Sequence, residues 1–289
     1  MNHHTFTSLV LSGGAMKVLC SLGCILYLEK HDMINSIKNF VGTSAGGMLC
    51  FMLSIGYKAH EIASFFKENL NDPAVGSLDM TQVFDLISEY GLSDGDNLRE
   101  LMSRALHARS RKKDITFIEL AKLTGKNLIL CVSNVSKERE EYLCVDTSPD
   151  MSVIEALRTT CSIPFLFRPI VINDDYYVDG ALYNNFPMNY FKQDDNGLKD
   201  IIGINIIESD YQSTDNIVSF AIYMIMSILN KSYERNQDVY CNHDRNIVTL
   251  RIKTPDWLSL SALQIKFPDD ETLRKMLEIG YQSMATKLA

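Results

Sequence analysis

The chain has 289 residues, a formal net charge of −8 from 28 basic and 36 acidic side chains, and 46% hydrophobic residues. This is the composition of a folded globular protein and not of a disordered, collagenous or membrane-spanning one. The acidic balance also argues against a protein whose main work is to neutralise nucleic-acid phosphates, because that work needs a basic surface.

The seven cysteines are odd in number, widely spaced and set among apolar neighbours. This pattern is typical of buried thiols in a reducing compartment and not of a disulfide framework. The N-terminus shows no secretory signal, and the longest apolar stretch, residues 217–229, is shorter than the roughly 20 residues that a membrane span needs. We therefore expect a cytoplasmic protein that contacts membranes only at their surface.

Apolar periodicity and turn residues predict alternating strands and helices in the first half of the chain. Residues 7–12 and 38–42 are predicted as buried strands, and each is followed by an apolar helix, over 16–30 and 44–55. Further helices are predicted over 58–69, 81–90, 97–108 and 116–123. Residues 127–135 and 141–146 are predicted to form a β-hairpin.

The second half of the chain continues this alternation. It is predicted to contain short strands near 170–178 and 201–207, a long helix over 215–238, a strand over 246–252 and a final helix from about Asp269. No linker, repeat or low-complexity tract interrupts residues 1–289, so we expect a single domain. The alternating pattern predicts an α/β fold of three layers, α/β/α, with a mainly parallel central sheet.

The segment GTSAGG, from Gly42 to Gly47, matches the pattern G-x-S-x-G at a junction between a predicted strand and a predicted helix. Small residues such as Gly42 and Gly46 allow the sharp turn that lifts a serine hydroxyl into a cleft, at the positive end of the following helix. This context predicts that Ser44 is a nucleophile, with the N–H of Ala45 beside it.

A nucleophilic serine needs groups that stabilise an oxyanion. The loop SGGAMK, from Ser12 to Lys17, follows the first strand and opens the first helix, so its backbone N–H groups can converge on an anion. Gly13, Gly14 and Ala15 are therefore candidates for the oxyanion hole, and Lys17 adds positive charge.

The residue that accepts the serine proton has two candidates. His243 is the histidine whose position fits a Ser, Asp, His order along the chain. Asp179, followed by Gly180 at the end of a predicted strand, becomes a stronger base if it is desolvated beside the nucleophile. The residues by themselves leave both candidates open.

Four sequence blocks occur in a consistent order between residues 7 and 207. They are LSGGAMK (11–17), GTSAG (42–46), ALRTTCSIP (156–164) and YVDGA (177–181), with NFP (185–187) beyond. Together they resemble the patatin-like phospholipases. Residues 208–289 contain no recognised motif and are interpreted as the C-terminal part of the same domain.

The resemblance implies a Ser-Asp dyad, with Ser44 as nucleophile and Asp179 as base, and no metal or cofactor. It also implies an oxyanion hole at Gly13, Gly14 and Ala15, and the serine motif adds the N–H of Ala45. The residues expected to support this arrangement are Lys17, Gly42, Gly46 and Gly180.

The chain departs from the family pattern in the oxyanion loop. The third glycine is replaced by Ala15, the basic residue is Lys17 rather than arginine, and Val18 replaces a glycine. Ala15 keeps its N–H, so the hole is retained if the φ angle of Ala15 is negative. A positive φ at this residue would impair activity.

The expected function is hydrolysis of fatty-acyl esters of phospholipids or other acyl lipids, of the phospholipase A or lysophospholipase type, through an acyl-enzyme. Two alternatives are an α/β-hydrolase-type esterase that uses Ser44 and His243, and a non-catalytic protein that binds a lipid or a partner. Surface contact with a membrane is assigned to residues 217–226 or to a basic cluster. That cluster comprises Arg104, Arg109, Arg111, Lys112 and Lys113.

Overall fold

The computed structural model describes residues 5–70, 90–191, 200–209, 246–253 and 267–288, together with Phe220 and Met224. The strands are β1 (Ser8–Leu11), β2 (Asn39–Thr43), β3 (Gly91–Ser93), β4 (Asn127–Asn134), β5 (Arg139–Leu143), β6 (Phe165–Phe167), β7 (Ile170–Ile172), β8 (Asp175–Asp179), β9 (Ile201–Ser209) and β10 (Asn246–Lys253). The helices are α1 (Leu19–Lys30), α2 (Ala45–Ser54), α3 (Ala59–Leu70), α4 (Asp96–Ser110), α5 (Phe117–Thr124), α6 (Val153–Thr160), α7 (Ala181–Asn184) and α8 (Asp270–Leu288).

The central sheet has the strand order β10-β9-β1-β2-β4-β8-β7, and β5 also pairs with β4. Strands β10, β9, β1, β2 and β4 are parallel to one another, whereas the pairs β4–β5, β4–β8 and β8–β7 are antiparallel. The predicted α/β class with a mainly parallel sheet is confirmed. Because Leu11 is in register with Gly42, the loops that follow β1 and β2 leave the same edge of the sheet.

Apolar side chains cover both faces of the sheet. In β1, Leu9 and Leu11 belong to the larger hydrophobic cluster, whereas Val10 belongs to a smaller one. Adjacent residues of a strand point to opposite faces, so the two clusters lie on the two sides of the sheet. Helices α1, α2 and α3 contribute to the larger cluster, and Phe186 and Met188 to the smaller one. Nearly all of the helix predicted over 215–238 lies outside the described residues.

Several elements differ from the prediction. The helix predicted from residue 16 begins with a 3-10 turn over Ala15–Val18, and α1 follows it. The sequence pattern missed helix α6, as well as the two-stranded parallel sheet formed by β3 and β6, which are too short to show a period. Apart from Tyr90, the helix predicted over 81–90 lies outside the described residues.

The C-terminal helix α8 packs closely against α1. A Cβ atom on Gly23 of α1 would collide with the backbone carbonyl of Leu277, and one on Gly280 of α8 would collide with the carbonyl of Cys20. The thiol of Cys24 donates a hydrogen bond to the carbonyl of Gly280 at 3.1 Å. The two helix backbones therefore touch, and glycine at these positions makes the approach possible.

Six of the seven cysteines lie in the described residues, and all six are buried and unpaired. Burial raises the pKa of five of these thiols, so the five stay protonated: Cys20, Cys24, Cys50, Cys131 and Cys161. The remaining cysteine, Cys241, falls outside the described residues. Among the helices described here, no stretch is long and apolar enough to cross a membrane.

Candidate active site

Ser44 occupies a strained turn between β2 and α2. Its φ angle is +53° and its ψ angle is −130°, values that non-glycine residues rarely adopt. Its backbone N–H donates to the hydroxyl of Thr160 at 2.9 Å, and that hydroxyl donates to the carbonyl of Cys131. The strain is thereby held by bonds to α6 and β4, which is typical of functional turns.

Glycines on both sides of Ser44 let the turn pack tightly. A Cβ atom on Gly42 would lie 2.6 Å from the backbone nitrogen of Gly47. One on Gly46 would lie 2.8 Å from the carbonyl oxygen of Leu11, and closer still to that of Ser12. The first turn of α2, including the N–H of Ala45, therefore sits against the end of β1, where the Gly13–Ala15 loop begins.

The candidate oxyanion loop, Ser12 to Lys17, is anchored at its first residues. Ser12 bonds to β9 in both directions, since its N–H donates to the carbonyl of Ile204 at 3.1 Å and its hydroxyl accepts the N–H of Ile206 at 2.8 Å. The N–H of Gly13 donates to the carbonyl of Asn185 at 3.2 Å. Gly13 therefore lines the loop rather than supplying a donor. The N–H groups of Gly14 and Ala15 form no backbone hydrogen bond to another described residue.

The φ angle of Ala15 is +46°, so this residue adopts the left-handed conformation. The negative φ on which an unimpaired oxyanion hole is expected to depend is therefore not observed, and Ala15 keeps its N–H in the loop at the cost of backbone strain. Such a conformation costs a residue with a Cβ atom about 1–2 kcal/mol. Lys17 is buried in the 3-10 turn, and its N–H donates to the carbonyl of Gly14 at 3.0 Å, which closes the turn behind Ala15.

Asp179 ends β8 and is only 3% exposed. Burial raises the pKa of its carboxyl from 3.8 to about 6, although the Ser44 hydroxyl and the N–H of Ala181 both act to lower it. Oδ1 accepts the Ala181 N–H at 2.8 Å, whereas the buried Oδ2 has no partner at full hydrogen-bond geometry among the described residues. The Ser44 hydroxyl is close enough to lower the pKa of Asp179, but it does not donate a hydrogen bond of full geometry to Oδ2.

The register of the sheet explains how residues so far apart in sequence meet. Thr43 is opposite Cys131 in β4, and the next residue of β4, Val132, is opposite Asp179 in β8. A Cβ atom on Gly180 would collide with the carbonyl of Cys131 and lie 3.0 Å from Cγ2 of Thr43. Ser44 and Asp179 therefore reach the same point from strands on either side of β4.

A buried arginine supports the strand that carries Asp179. Arg158 is fully buried, and its guanidinium donates to the hydroxyl of Ser162, to the carbonyl of Asp94 at 2.8 Å and to that of Arg168 at 2.9 Å. Burial lowers the pKa of Arg158 to about 10. The carbonyl of Ser162 in turn accepts the N–H of Asp179 at 2.8 Å. In the sequence, the segment 156–164 was recognised only by its resemblance to the family, and the contacts of Arg158 were not predicted.

The Cys161 thiol also lies against the Ser44 side chain. Burial raises the pKa of this thiol, and the Asp179 carboxylate raises it further. A protonated thiol is a poor nucleophile.

None of the histidines within the described segments is hydrogen-bonded to Ser44 or Asp179. His31 stacks on Tyr27 with ring centroids 4.2 Å apart, while His60 and His107 lie in α3 and α4. His243, the alternative base, falls outside the described residues. The described part of the chain also holds no group of three His, Cys, Asp or Glu side chains that could bind a metal ion.

The structure is an α/β protein with a mainly parallel sheet. In the described residues, β1 and β2 precede a strand-serine-helix turn, and a loop of small residues lies beside that turn. The family model described as patatin-like phospholipase matches residues 9–192. The chain belongs to the patatin-like phospholipase family. This placement disfavours the α/β-hydrolase alternative, in which more strands precede the serine.

The chain is also similar to individual proteins and to a solved structure. "Probable lipid hydrolase 463L" of Invertebrate iridescent virus 6 is 35% identical over 184 residues, which are 64% of this chain and 62% of that protein. The uncharacterised protein YqhO of Bacillus subtilis is 23% identical over 263 residues, covering 84% of this chain and 86% of its own. The crystal structure of VipD from Legionella pneumophila shares the fold, with a TM-score of 0.62 and 17% identity over 98% of this chain and 66% of VipD. The chain thus spans less than two thirds of the viral relative and of VipD.

Proposed function

We propose that the protein hydrolyses fatty-acyl esters of phospholipids or related acyl lipids, with Ser44 as nucleophile and Asp179 as general base. The observation that carries the proposal is the convergence of a strained serine and a buried carboxyl whose pKa is raised to about 6. A base is most effective when its pKa lies near the working pH, which an ordinary aspartate does not achieve. Membership of the family gives the substrate class.

The first half of the reaction forms an acyl-enzyme. Asp179 takes the proton of the Ser44 hydroxyl, and the serine oxygen attacks the ester carbonyl. The N–H groups of Gly14, Ala15 and Ala45 stabilise the resulting oxyanion, because they lie at the loop and helix start that meet beside Ser44. The ester C–O bond then breaks, and Asp179 returns the proton to the departing alcohol.

The second half releases the fatty acid. A water molecule gives a proton to Asp179 and attacks the acyl carbonyl, and the bond to the Ser44 oxygen breaks as that oxygen regains the proton. Asp179 serves as base in both halves, so neither a histidine nor a metal ion is required. Lys17, Gly42, Gly46 and Gly180 hold the loop, the turn and the β8 end in place.

We also propose that the protein works in a reducing compartment and contacts the surface of a membrane. The six buried, unpaired thiols support the reducing compartment. The basic cluster is partly neutralised, since Arg104, Arg109 and Lys112 pair with Glu100, Glu61 and Glu119. Of the apolar stretch 217–226 only Phe220 and Met224 are described, and they are 48% and 47% exposed. These two side chains favour the apolar stretch as the contact.

Product analysis by mass spectrometry of mixed phospholipid vesicles tests the proposal. The wild type is expected to release free fatty acid and a lysophospholipid or its deacylated product. Ser44→Ala and Asp179→Asn are each expected to slow release by at least about a hundredfold, given the usual contribution of a general base. Unchanged vesicles in the presence of folded wild-type protein would favour the non-catalytic alternative, and wild-type rates in either variant would refute the dyad.

A further inference from the structure

A buried amide atom without a partner lies beside the nucleophile. Oδ1 of Asn185 is buried and accepts no hydrogen bond within the described part of the chain. An unpaired buried polar atom of this kind destabilises the folded state, so each instance calls for an explanation. The nearby Asn189 shows the ordinary arrangement, since its Oδ1 accepts from Tyr142 at 2.9 Å and its Nδ2 donates to Glu140 at 2.7 Å.

The position of the Asn185 amide is fixed relative to the reacting groups. A Cβ atom on Gly13 would lie 2.6 Å from Oδ1 of Asn185 and 3.1 Å from Cβ of Ser44, so this amide and the nucleophile flank the same point of the oxyanion loop. The backbone carbonyl of Asn185 accepts the Gly13 N–H at 3.2 Å, and the carbonyl of Asn184 accepts the Thr43 hydroxyl at 3.1 Å. Two consecutive carbonyls thus tie this segment to both the loop and the turn.

The charge that develops at the site determines whether Oδ1 or Nδ2 of Asn185 should face it. The carbonyl oxygen of Thr43 lies on the same side of Gly13, 3.3 Å from the position of that Cβ atom, so the surroundings already contain an acceptor. An oxyanion that forms beside Gly13 would be repelled by Oδ1 of Asn185 and stabilised by an N–H donor in its place. Rotation of the amide by 180° exchanges Oδ1 and Nδ2 with almost no change of shape.

We propose that Asn185 is a further catalytic residue, whose amide turns Nδ2 toward the oxyanion and donates to it alongside the backbone N–H groups of Gly14 and Ala15. The inference rests on the proposed function of Ser44. Asn185 thus adds a side-chain donor to the backbone donors, and the proposal explains why Oδ1 of its amide is left unpaired when no substrate is present.

Three variants test the role, with steady-state kinetics on one phospholipid and thermal unfolding as paired measurements. Asn185→Leu keeps the branched shape of the side chain and removes both polar atoms. It is expected to lower kcat by about a hundredfold to a thousandfold, the usual effect of one lost oxyanion donor, with KM changed by less than about threefold. Its melting temperature is expected to be equal to or above that of the wild type, because an unpaired buried atom is removed.

Asn185→Asp and Asn189→Leu complete the design. Asn185→Asp keeps the shape but offers acceptors only, so its kcat is expected to be at least as low as that of Asn185→Leu. Asn189→Leu removes an amide that is fully bonded, so it is expected to lower the melting temperature and to leave kcat within about twofold of the wild type.

Two results would overturn the inference. One is a near-wild-type kcat in Asn185→Asp or Asn185→Leu, and the other is a melting temperature of Asn185→Leu that falls as far as that of Asn189→Leu. Ser44→Ala is measured in the same series. Hydrolysis that survives in Ser44→Ala refutes the proposed function. The melting temperatures of Asn185→Leu and Asn189→Leu do not depend on that result, and they separate a functional Asn185 from a structural one.

Discussion

Single residues of the candidate site combine ordinary chemistry with unusual surroundings. Ser44 and Ala15 both adopt positive φ angles, and Asp179 is a carboxyl withdrawn from water. The identity of these residues could be predicted from the motifs. Their conformations and the pKa of Asp179 could not, because they depend on contacts with segments more than a hundred residues away along the chain.

The raised pKa of Asp179 predicts a pH dependence of activity. Asp179 must be ionised to accept the serine proton, so kcat/KM is expected to rise with pH through an apparent pKa of about 6. A pH profile of ester hydrolysis measures this value. A rising limb centred near pH 4, as for an exposed aspartate, would contradict the effect of burial.

The raised pKa of Asp179 also predicts that this residue lowers the stability of the folded chain at the pH at which it is active. The folded chain holds the Asp179 proton more tightly than the unfolded chain, so this group's contribution to stability falls as pH rises from about 4 to about 6. Asp179→Asn is therefore expected to raise the free energy of unfolding at pH 8, by no more than about 3 kcal/mol, while it abolishes activity. Denaturant unfolding at pH 8 and pH 4 checks the sign, and a smaller gain at pH 8 than at pH 4 would contradict it.

The left-handed conformation of Ala15 predicts that glycine suits this position better. Ala15→Gly is expected to leave kcat unchanged or higher, because the loop N–H is retained and the strain of about 1–2 kcal/mol is relieved. Ala15→Val is the contrasting variant, since a β-branched side chain tolerates positive φ poorly. Initial rates and melting temperatures of both variants measure the effect, and a higher kcat in Ala15→Val than in Ala15→Gly would contradict it.

At the scale of elements, the site is assembled where β1, β2 and β8 end. The sequence predicted β1, β2 and the hairpin of β4 and β5, because buried strands and helices of ordinary length show clear periodicity. It did not reveal α6 or the short strands β3 and β6. It also could not show that α6 supplies Thr160 and Arg158 to the turn and to the Asp179 strand, since these contacts arise only in the folded chain.

The contact of α2 with the end of β1 predicts a specific sensitivity at Gly46. Gly46→Ala places a Cβ atom against the carbonyls of Leu11 and Ser12, so α2 must move away from the oxyanion loop. The free energy of unfolding is expected to fall by about 1–3 kcal/mol, and kcat is expected to fall with it.

Gly56, just beyond the same helix, provides the control. Its φ angle is +91° and a Cβ atom there would meet no other atom within 4 Å, so Gly56→Ala destabilises through backbone strain alone. Unfolding curves and kcat are compared for the two variants. Equal losses of kcat at equal losses of stability would show that the contact of Gly46 has no special bearing on the site.

For the molecule as a whole, we propose that residues 1–289 form a single domain. Strands β9 and β10 extend the sheet that carries the site, and α8 packs on α1. The sequence offered no motif in this C-terminal part. Its place in the fold follows from the pairing of β9 with β1 and from two glycines, Gly23 and Gly280, that periodicity alone does not distinguish from other helix residues.

Gly280→Val tests whether α8 belongs to the same domain as the site. The valine side chain would collide with the carbonyl of Cys20 and force α8 away from α1. The variant is expected to lower the melting temperature of the whole chain in one transition and to lower activity in parallel. Ile279→Val, at a neighbouring position that is 46% exposed, is expected to change neither. A separate early transition with activity preserved would show that α8 belongs to an independent unit.

The central claim is that Ser44 and Asp179 act as a catalytic pair in a lipid hydrolase, and covalent labelling with a fluorophosphonate tests it most directly. Intact mass and peptide mapping are measured for the wild type, Ser44→Ala and Asp179→Asn, beside fatty-acid release. We expect one adduct on Ser44 in the wild type, none in Ser44→Ala and strongly slowed labelling in Asp179→Asn, with hydrolysis lost in parallel. An adduct on a different serine, or hydrolysis that persists in Ser44→Ala, would contradict it.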